Sequence, residues 1–334
     1  MIKLVKTFVL LFGFAVSQEV SGITYFEYDH KEDFSLNRQY INFKNTLDEN
    51  IDLKVTFDIG RVNGGKLEAF LKKSQLNWNC DGIGKFSFGL IGINSHGVQE
   101  KNWGYRYIQK SSIDLWGFTK TADLGVGFSR KFFDKLSLSF QVSNGEGYKK
   151  PQEDGYSRRW FSLTYGEKNL SKNPGYNLGF VKSIEPQDTD VGQGSKVLIG
   201  LFAGYSNSML RVGVDYHQYS DRYEWDLNCD DEACESKEWG DRFQQSVSFS
   251  TTYIASNKLS AFARVDIYDP NLYFGYSCPL SCSVSSDNDN VNYVVAGIIW
   301  SPTKGLDIAP NIRQLKVDGS EATTDYKVNF QFKL

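Results

Sequence analysis

Residues 94–121 read NSHGVQEKNWGYRYIQKSSIDLWGFTKT. The stretch has neither period-2 alternation nor an apolar stripe at helical spacing, so it is expected to be neither strand nor helix. It is rich in Trp, Tyr, Arg and Lys. Its flanks behave differently. GKFSFGLIGI at 84–93 and ADLGVGFSRK at 122–131 alternate apolar with small or polar residues, as strands with two unlike faces do.

The same alternation recurs along the chain, in LSLSFQV at 136–142 and IDLKVTFDI at 51–59. It predicts sixteen strands: 23–29, 36–47, 51–60, 67–78, 84–93, 122–131, 135–144, 157–166, 175–184, 195–206, 209–219, 242–255, 258–268, 290–300, 305–317 and 323–334. Connections after even-numbered strands are mostly tight, as at 48–50, 132–134, 207–208, 256–257 and 301–304. Those after odd-numbered strands include all the long ones: 94–121, 145–156, 185–194, 220–241 and 269–289. An even strand count with short turns at one end and long loops at the other is the pattern of a transmembrane antiparallel β-barrel. The segment 94–121 is then the third long-end connection.

One face of each strand must tolerate lipid. Phe86, Phe88 and Leu90 fit that face, as do Leu210, Val212, Val214 and Tyr216, and Leu259, Ala261, Ala263, Val265 and Ile267. Val291, Tyr293, Val295, Gly297 and Ile299 are assigned to it as well. A soluble β-sandwich would alternate similarly, so the loop asymmetry and the C-terminus carry the distinction.

The N-terminus bears on compartment. Lys3 and Lys6 precede an apolar run from Phe8 to Val16 that ends in small residues, which predicts a signal peptide over 1–17 and a barrel over 18–334. The apolar run is too short to span a bilayer as a helix. Without Lys3 and Lys6 the chain keeps 35 basic against 40 acidic residues, a balance of −5 that argues against a nucleic-acid partner. In an exported chain, Cys229, Cys234, Cys278 and Cys282 are disulfide candidates, paired within each loop or across the two, with Cys80 left over. No His lies near these pairs and no EF-hand spacing occurs, so neither a metal site nor a cofactor is expected. With His30, His96 and His217 alone, and no G-x-S-x-G, enzymatic readings are weak.

The chain ends YKVNFQFKL at 326–334, an amphipathic strand that resembles the C-terminal signal read by the outer-membrane assembly machinery, with Leu334 where an aromatic is usual. EKNWGYRYIQK at 100–110, Ser111 to Lys120, ADLGVG at 122–127 and NGEGYKK at 144–150 resemble bacterial outer-membrane porins related to the phosphate-selective porin O and P family, best over 34–185. That resemblance implies a homotrimer of sixteen-stranded barrels, each with its third extracellular loop folded into the lumen. The candidate wall departs from the cation-lined pattern of the phosphate-selective members. It mixes Arg38, Lys44, Lys54, Arg158, Arg211, Arg264 and Arg313 with Asp52, Asp58, Asp123, Asp215 and Asp266.

The expected function is passive diffusion of small hydrophilic solutes and ions through a bacterial outer-membrane channel with some preference for anions. A plugged structural or adhesion barrel and a secreted soluble all-β binding protein are the alternatives. Pore constriction is assigned to Lys101, Trp103, Tyr105, Arg106, Lys110 and Lys120, where cations outnumber Glu100 and Asp114 and would concentrate small anions. Trp103, Tyr105 and Tyr107 suit packing of the loop against the wall better than lining a slide for organic solutes. Of the adjacent Arg158 and Arg159, Arg158 is the inward candidate. Lipid and lipopolysaccharide are the expected surroundings, divalent cations bridging acidic loops to phosphates.

Overall fold

The computed structural model describes residues 18–61, 65–189, 192–226, 237–272 and 290–333. Sixteen strands close into one antiparallel barrel. They are β1 (Gln18–Asp29), β2 (Asp33–Asp48), β3 (Ile51–Arg61), β4 (Leu67–Cys80), β5 (Gly84–Gly92), β6 (Ala122–Phe132), β7 (Leu136–Ser143) and β8 (Arg158–Gly166). The second half is β9 (Gly175–Thr189), β10 (Gly192–Ser206), β11 (Leu210–Asp226), β12 (Lys237–Ser256), β13 (Leu259–Leu272), β14 (Val291–Thr303), β15 (Leu306–Val317) and β16 (Thr323–Lys333). Each strand pairs with its sequence neighbours, and β1 pairs with β16 from Ile23↔Lys333 to Asp29↔Lys327. Closure removes the free edges that an open sheet would leave.

The strand count matches the sequence reading, and the boundaries differ where polarity hides them. β1 begins at Gln18, five residues before the expected start. The expected loop at 185–194 is largely paired, with Lys196↔Glu185 through Gly192↔Thr189 continuing the ladder. Likewise β11 and β12 run on through Asp226↔Lys237 inside the expected loop 220–241. The β9–β10 extension is polar on both faces and carries no alternation to read, whereas the β11 extension alternates Tyr223 and Trp225 with Arg222, Glu224 and Asp226, a signal the sequence reading passed over. Cys229, Cys234, Cys278 and Cys282, the signal segment 1–17 and most of the 269–289 loop lie outside the described residues. Cys80 is a free thiol at the end of β4.

Side-chain placement is the reverse of a soluble domain. Ser246, Ser248, Ser250, Asp266, Asn329 and His217 are buried, whereas Phe249, Val247, Ile267, Leu201 and Trp300 stand exposed. A soluble sandwich buries its apolar face. An apolar exterior around a polar interior is what a lipid surround and an aqueous lumen require. No described helix is long and apolar enough to cross a membrane.

One strand corrects the sequence assignment. Tyr293, Val295 and Ile299 on β14 are buried inside, while Ile298 and Trp300 face out. Both faces of β14 are apolar, so alternation could not choose between them. The inner face is apolar because protein, not water, covers it. A second irregularity concerns β4, which pairs with β3 as Thr56↔Lys73 and then Phe57↔Leu71, leaving Lys72 as an extra residue. Such a bulge re-aims side chains, and here the consecutive Lys72 and Lys73 both line the interior.

Phe249 lies on the outward face of β12, opposite Val265. Phe249→Arg is expected to destabilise the barrel in lipid vesicles by about 2–4 kcal/mol, read from urea unfolding; the same substitution at inward Ser248 lacks this lipid-transfer penalty.

Candidate functional site

The 94–121 segment lies within the connection between β5 and β6, and it contains two short helices that the sequence reading did not anticipate: α1 (Gly97–Trp103) and α2 (Ser112–Leu115). Each is about one or two turns long, too short for a periodic stripe to register. Gly104 ends α1 in the left-handed conformation (φ 82°) and returns its N–H to the Glu100 carbonyl.

The segment crosses the lumen and seats on the far wall. Trp103, Tyr107 and Ile108 pack with Phe262, Tyr293, Val295, Ile299, Ala309, Tyr25 and Tyr40. Ile113 and Phe118 pack with Trp160, Val181, Leu198 and Phe202. Trp103 is 2% exposed, its ring edge-on to Phe262 at 5.8 Å and its indole N–H on the Gln109 carbonyl. Trp116 stacks on Tyr268 at 4.4 Å. Asn102 and Asn177 exchange amide hydrogen bonds of 2.9 and 2.8 Å. Gly204 makes room there, since a Cβ would meet the Asn102 amide nitrogen at 2.8 Å.

Four wall arginines hold the main chain of the segment. Arg211 donates to the Trp103 carbonyl (3.0 Å), Arg313 to Ile108 (2.8 Å), Arg264 to Lys110 (2.5 Å) and Arg158 to Phe118 (3.3 Å). Asn329 donates to the Tyr107 carbonyl at 3.1 Å. Arg264 is itself paired with buried Asp266, Arg313 with Glu27 at 3.2 Å and Arg158 with Glu185 at 3.8 Å. Arg158 does face inward and Arg159 outward. Arg158, Arg211, Arg264 and Arg313, assigned to the pore wall, thus each meet a loop carbonyl that sequence alone could not place, and Arg158 also lines the larger of two cavities beside the segment.

Two cavities adjoin the segment, the larger reaching Arg158. The larger, about 650 Å³, lies toward the long connections and is lined by nine cations against five carboxylates. The smaller, about 230 Å³, lies toward the short turns beside Lys54, Lys73, His96 and Glu100. Lys72, Arg106 and Thr121 line both. Most cations here are paired: Arg106 with Glu100 and, at 2.7 Å, with Asp114; Lys196 with Glu185 at 2.6 Å. Lys54, Lys73, Lys120 and Lys149 have no ion-pair partner among the described residues.

Of the residues assigned to the constriction, Arg106 lines both cavities, and Lys110 and Lys120 line the larger. Lys101 is exposed and lines neither, Trp103 is buried in the seat, and Tyr105 packs against Trp103 and Phe262 beneath Arg211. On the wall, Arg38 is held by Asp58 at 3.0 Å, Lys54 lines the smaller cavity, and Lys44 lies opposite Lys54. Sequence reasoning missed Lys72, Lys73, Tyr148, Lys149 and Lys196. Lys72 depends on the bulge, and the NGEGYKK motif was the one available signal for Tyr148 and Lys149.

Burial holds the His96 imidazole below its ordinary value, so it is neutral at pH 7. Burial also works against charge on Asp114, but Arg106 and Lys110 outweigh it and its carboxyl titrates below the ordinary value. Burial depresses Lys120, with Arg158 and Lys150 adding to the effect.

Neither a protein-family model nor a curated protein matches this sequence. Solved structures do. The anion-selective porin from Comamonas acidovorans aligns over 95% of this chain and 99% of its own, with a TM-score of 0.64 at 11% identity. OmpF of Salmonella typhi, in complex with daunomycin, aligns over 95% and 97% with a TM-score of 0.64 at 11% identity. The outer membrane channel DcaP of Acinetobacter baumannii aligns over 95% and 96% with a TM-score of 0.60 at 10% identity. This chain has the fold of those bacterial porin barrels.

Two outcomes follow from the anchoring. Arg264→Ala leaves Asp266 buried without its partner, so the barrel is expected to lose about 3–5 kcal/mol in urea unfolding, with Arg264→Met/Asp266→Leu recovering much of it. The Arg106–Asp114 contribution is fully present above the ordinary carboxylate value of 3.8 and is lost only as pH falls through the lower folded value. Hydrogen exchange of 106–114 should therefore stay constant from neutral pH down to about 4, after correction for the intrinsic rate.

Proposed function

We propose that this chain is an outer-membrane channel through which small hydrophilic solutes and ions diffuse passively, with a preference for anions. The carrying observation is that two cavities, both richer in cations than in carboxylates, meet at Lys72, Arg106 and Thr121. An ion narrowing its hydration shell at that meeting point faces a guanidinium and an ammonium. The unpaired Lys120 and Lys149 on one side, and Lys73 and Lys54 on the other, continue the positive potential along the path. The apolar exterior supports the membrane setting, and the barrel fold shared with porins supports a channel.

Phosphate selectivity is not part of the proposal, because Asp58, Glu100, Asp114 and Glu185 neutralise much of the basic wall. Association as a homotrimer, as the porin resemblance implies, and lipopolysaccharide at the outer rim belong to the same reading. The exposed apolar wall suits lipid or a second copy of the chain.

Purified protein in planar bilayers should give discrete conductance steps, and a KCl gradient should give a reversal potential of the anion-preferring sign, reduced by added phosphate. Folded protein without steps would exclude the channel and favour the plugged barrel. Lys72→Gln/Lys73→Gln should lower the chloride-to-potassium permeability ratio, by more at low salt than at high. Lys101→Gln should leave it unchanged.

A further inference from the structure

The NGEGYKK motif belongs to a second inward-reaching connection, 144–157, between β7 and β8. Its first turn is fixed to the start of β6. The Asn144 N–H donates to the Leu124 carbonyl (3.0 Å), that of Gly145 to the Asp123 carboxylate (2.6 Å) and that of Tyr148 to the Ala122 carbonyl (3.0 Å). Gly145 (φ 114°) and Gly147 (φ 87°) take left-handed backbone, and a Cβ on Gly145 would meet a Glu185 carboxylate oxygen at 2.6 Å. This path delivers Tyr148 across the lumen to β3.

There the Tyr148 hydroxyl donates to the Asp58 carboxylate at 2.5 Å. Asp58 has no exposed side-chain surface and also receives Arg38, at 3.0 and 3.1 Å. Lys72 is 3.6 Å from the same carboxylate and sits over both the Tyr40 ring (4.7 Å) and the Tyr148 ring (5.3 Å). The next residue, Lys149, lies over Phe70 at 4.3 Å and faces the larger cavity. Burial and the Asp58 carboxylate push the Tyr148 hydroxyl far above its ordinary range, so it stays a neutral donor at working pH.

We propose that Tyr148 is a positioning residue that sets ion preference: its hydroxyl latches the 144–157 connection to Asp58, seating Lys149 at the mouth and sharing the Asp58 charge away from Arg38 and Lys72. The proposal rests on the channel reading above. A neutral donor satisfies part of a buried carboxylate without adding charge. Without it, Asp58 turns wholly to Arg38 and Lys72 and masks them more, while Lys149 is freed from its seat. Both changes lower the attraction for anions. Asp58→Asn acts oppositely, because its side-chain carbonyl still accepts from Tyr148 but no longer neutralises the two cations.

The test is the full chain in planar bilayers under a KCl gradient, with Tyr148→Phe, Asp58→Asn and the parent compared, and hydrogen exchange of 144–157 measured on the same preparations. Tyr148→Phe should lower the chloride-to-potassium permeability ratio by about two-fold and speed exchange in 144–157. Asp58→Asn should raise the ratio with exchange unchanged. A Tyr148→Phe channel with the parental ratio, or an Asp58→Asn channel with a lowered or unchanged one, overturns the proposal. Should Tyr148→Phe not fold, the direction of the Asp58→Asn shift decides it. A parent that is cation-preferring or does not conduct refutes the channel reading instead, whereas slow exchange at 144–157 in Tyr148→Phe refutes the latch itself.

Discussion

Arg158, Arg211, Arg264 and Arg313 each donate to a carbonyl of the segment that crosses the lumen, and the rest of the interior depends on those four bonds. A non-regular stretch inside a barrel carries main-chain acceptors that neither helix nor sheet satisfies, and leaving such a group buried without a partner costs about 1–3 kcal/mol. Guanidinium suits the task because it stays charged and presents several donors from one planar group. Three of the four arginines also have a carboxylate partner, Asp266, Glu27 or Glu185, which offsets the cost of holding a cation away from bulk water.

The same anchoring decides where water can go. Aromatic and aliphatic packing seats the segment on β8–β10 and β13–β15, with Tyr25 and Tyr40 of β1 and β2, and the remaining space lies along β2–β4, under the 144–157 connection and beside Arg158, Glu185, Lys196 and Tyr219. Around that space the cations are graded by pairing. Arg38 and Arg106 are held by carboxylates, whereas Lys54, Lys73, Lys120 and Lys149 are free of ion pairs among the described residues. In the proposed channel the paired groups set geometry, and the unpaired ones set the local potential that an ion meets.

The barrel was legible in the sequence because two physical constraints write themselves into it. Lipid outside and polar groups inside impose the period of two on segments such as 136–142, and the two membrane sides impose short and long connections in alternation. Where a constraint is absent, so is the signal. The ends of β9 and β10 stand with no apolar face, and β14 has two, because Tyr293 and Val295 meet protein rather than water. The bulge that turns Lys72 inward is a pairing irregularity between β3 and β4, invisible in either strand alone. The basic character of 94–121 was readable, but its division was not: Arg106 borders both cavities, Trp103 goes to the seat, and Lys101 to neither.

The proposed channel is a single aqueous path that passes beside the anchored segment at Lys72, Arg106 and Thr121. Thr121 borders both cavities on that path, whereas His217 is fully buried beneath the segment. A negatively charged methanethiosulfonate reagent applied to bilayer-reconstituted Thr121→Cys is therefore predicted to reduce the current from either side of the membrane. The His217→Cys protein should be insensitive. Block at His217→Cys with no effect at Thr121→Cys would contradict the account, because the path would then run behind the segment that the four arginines hold.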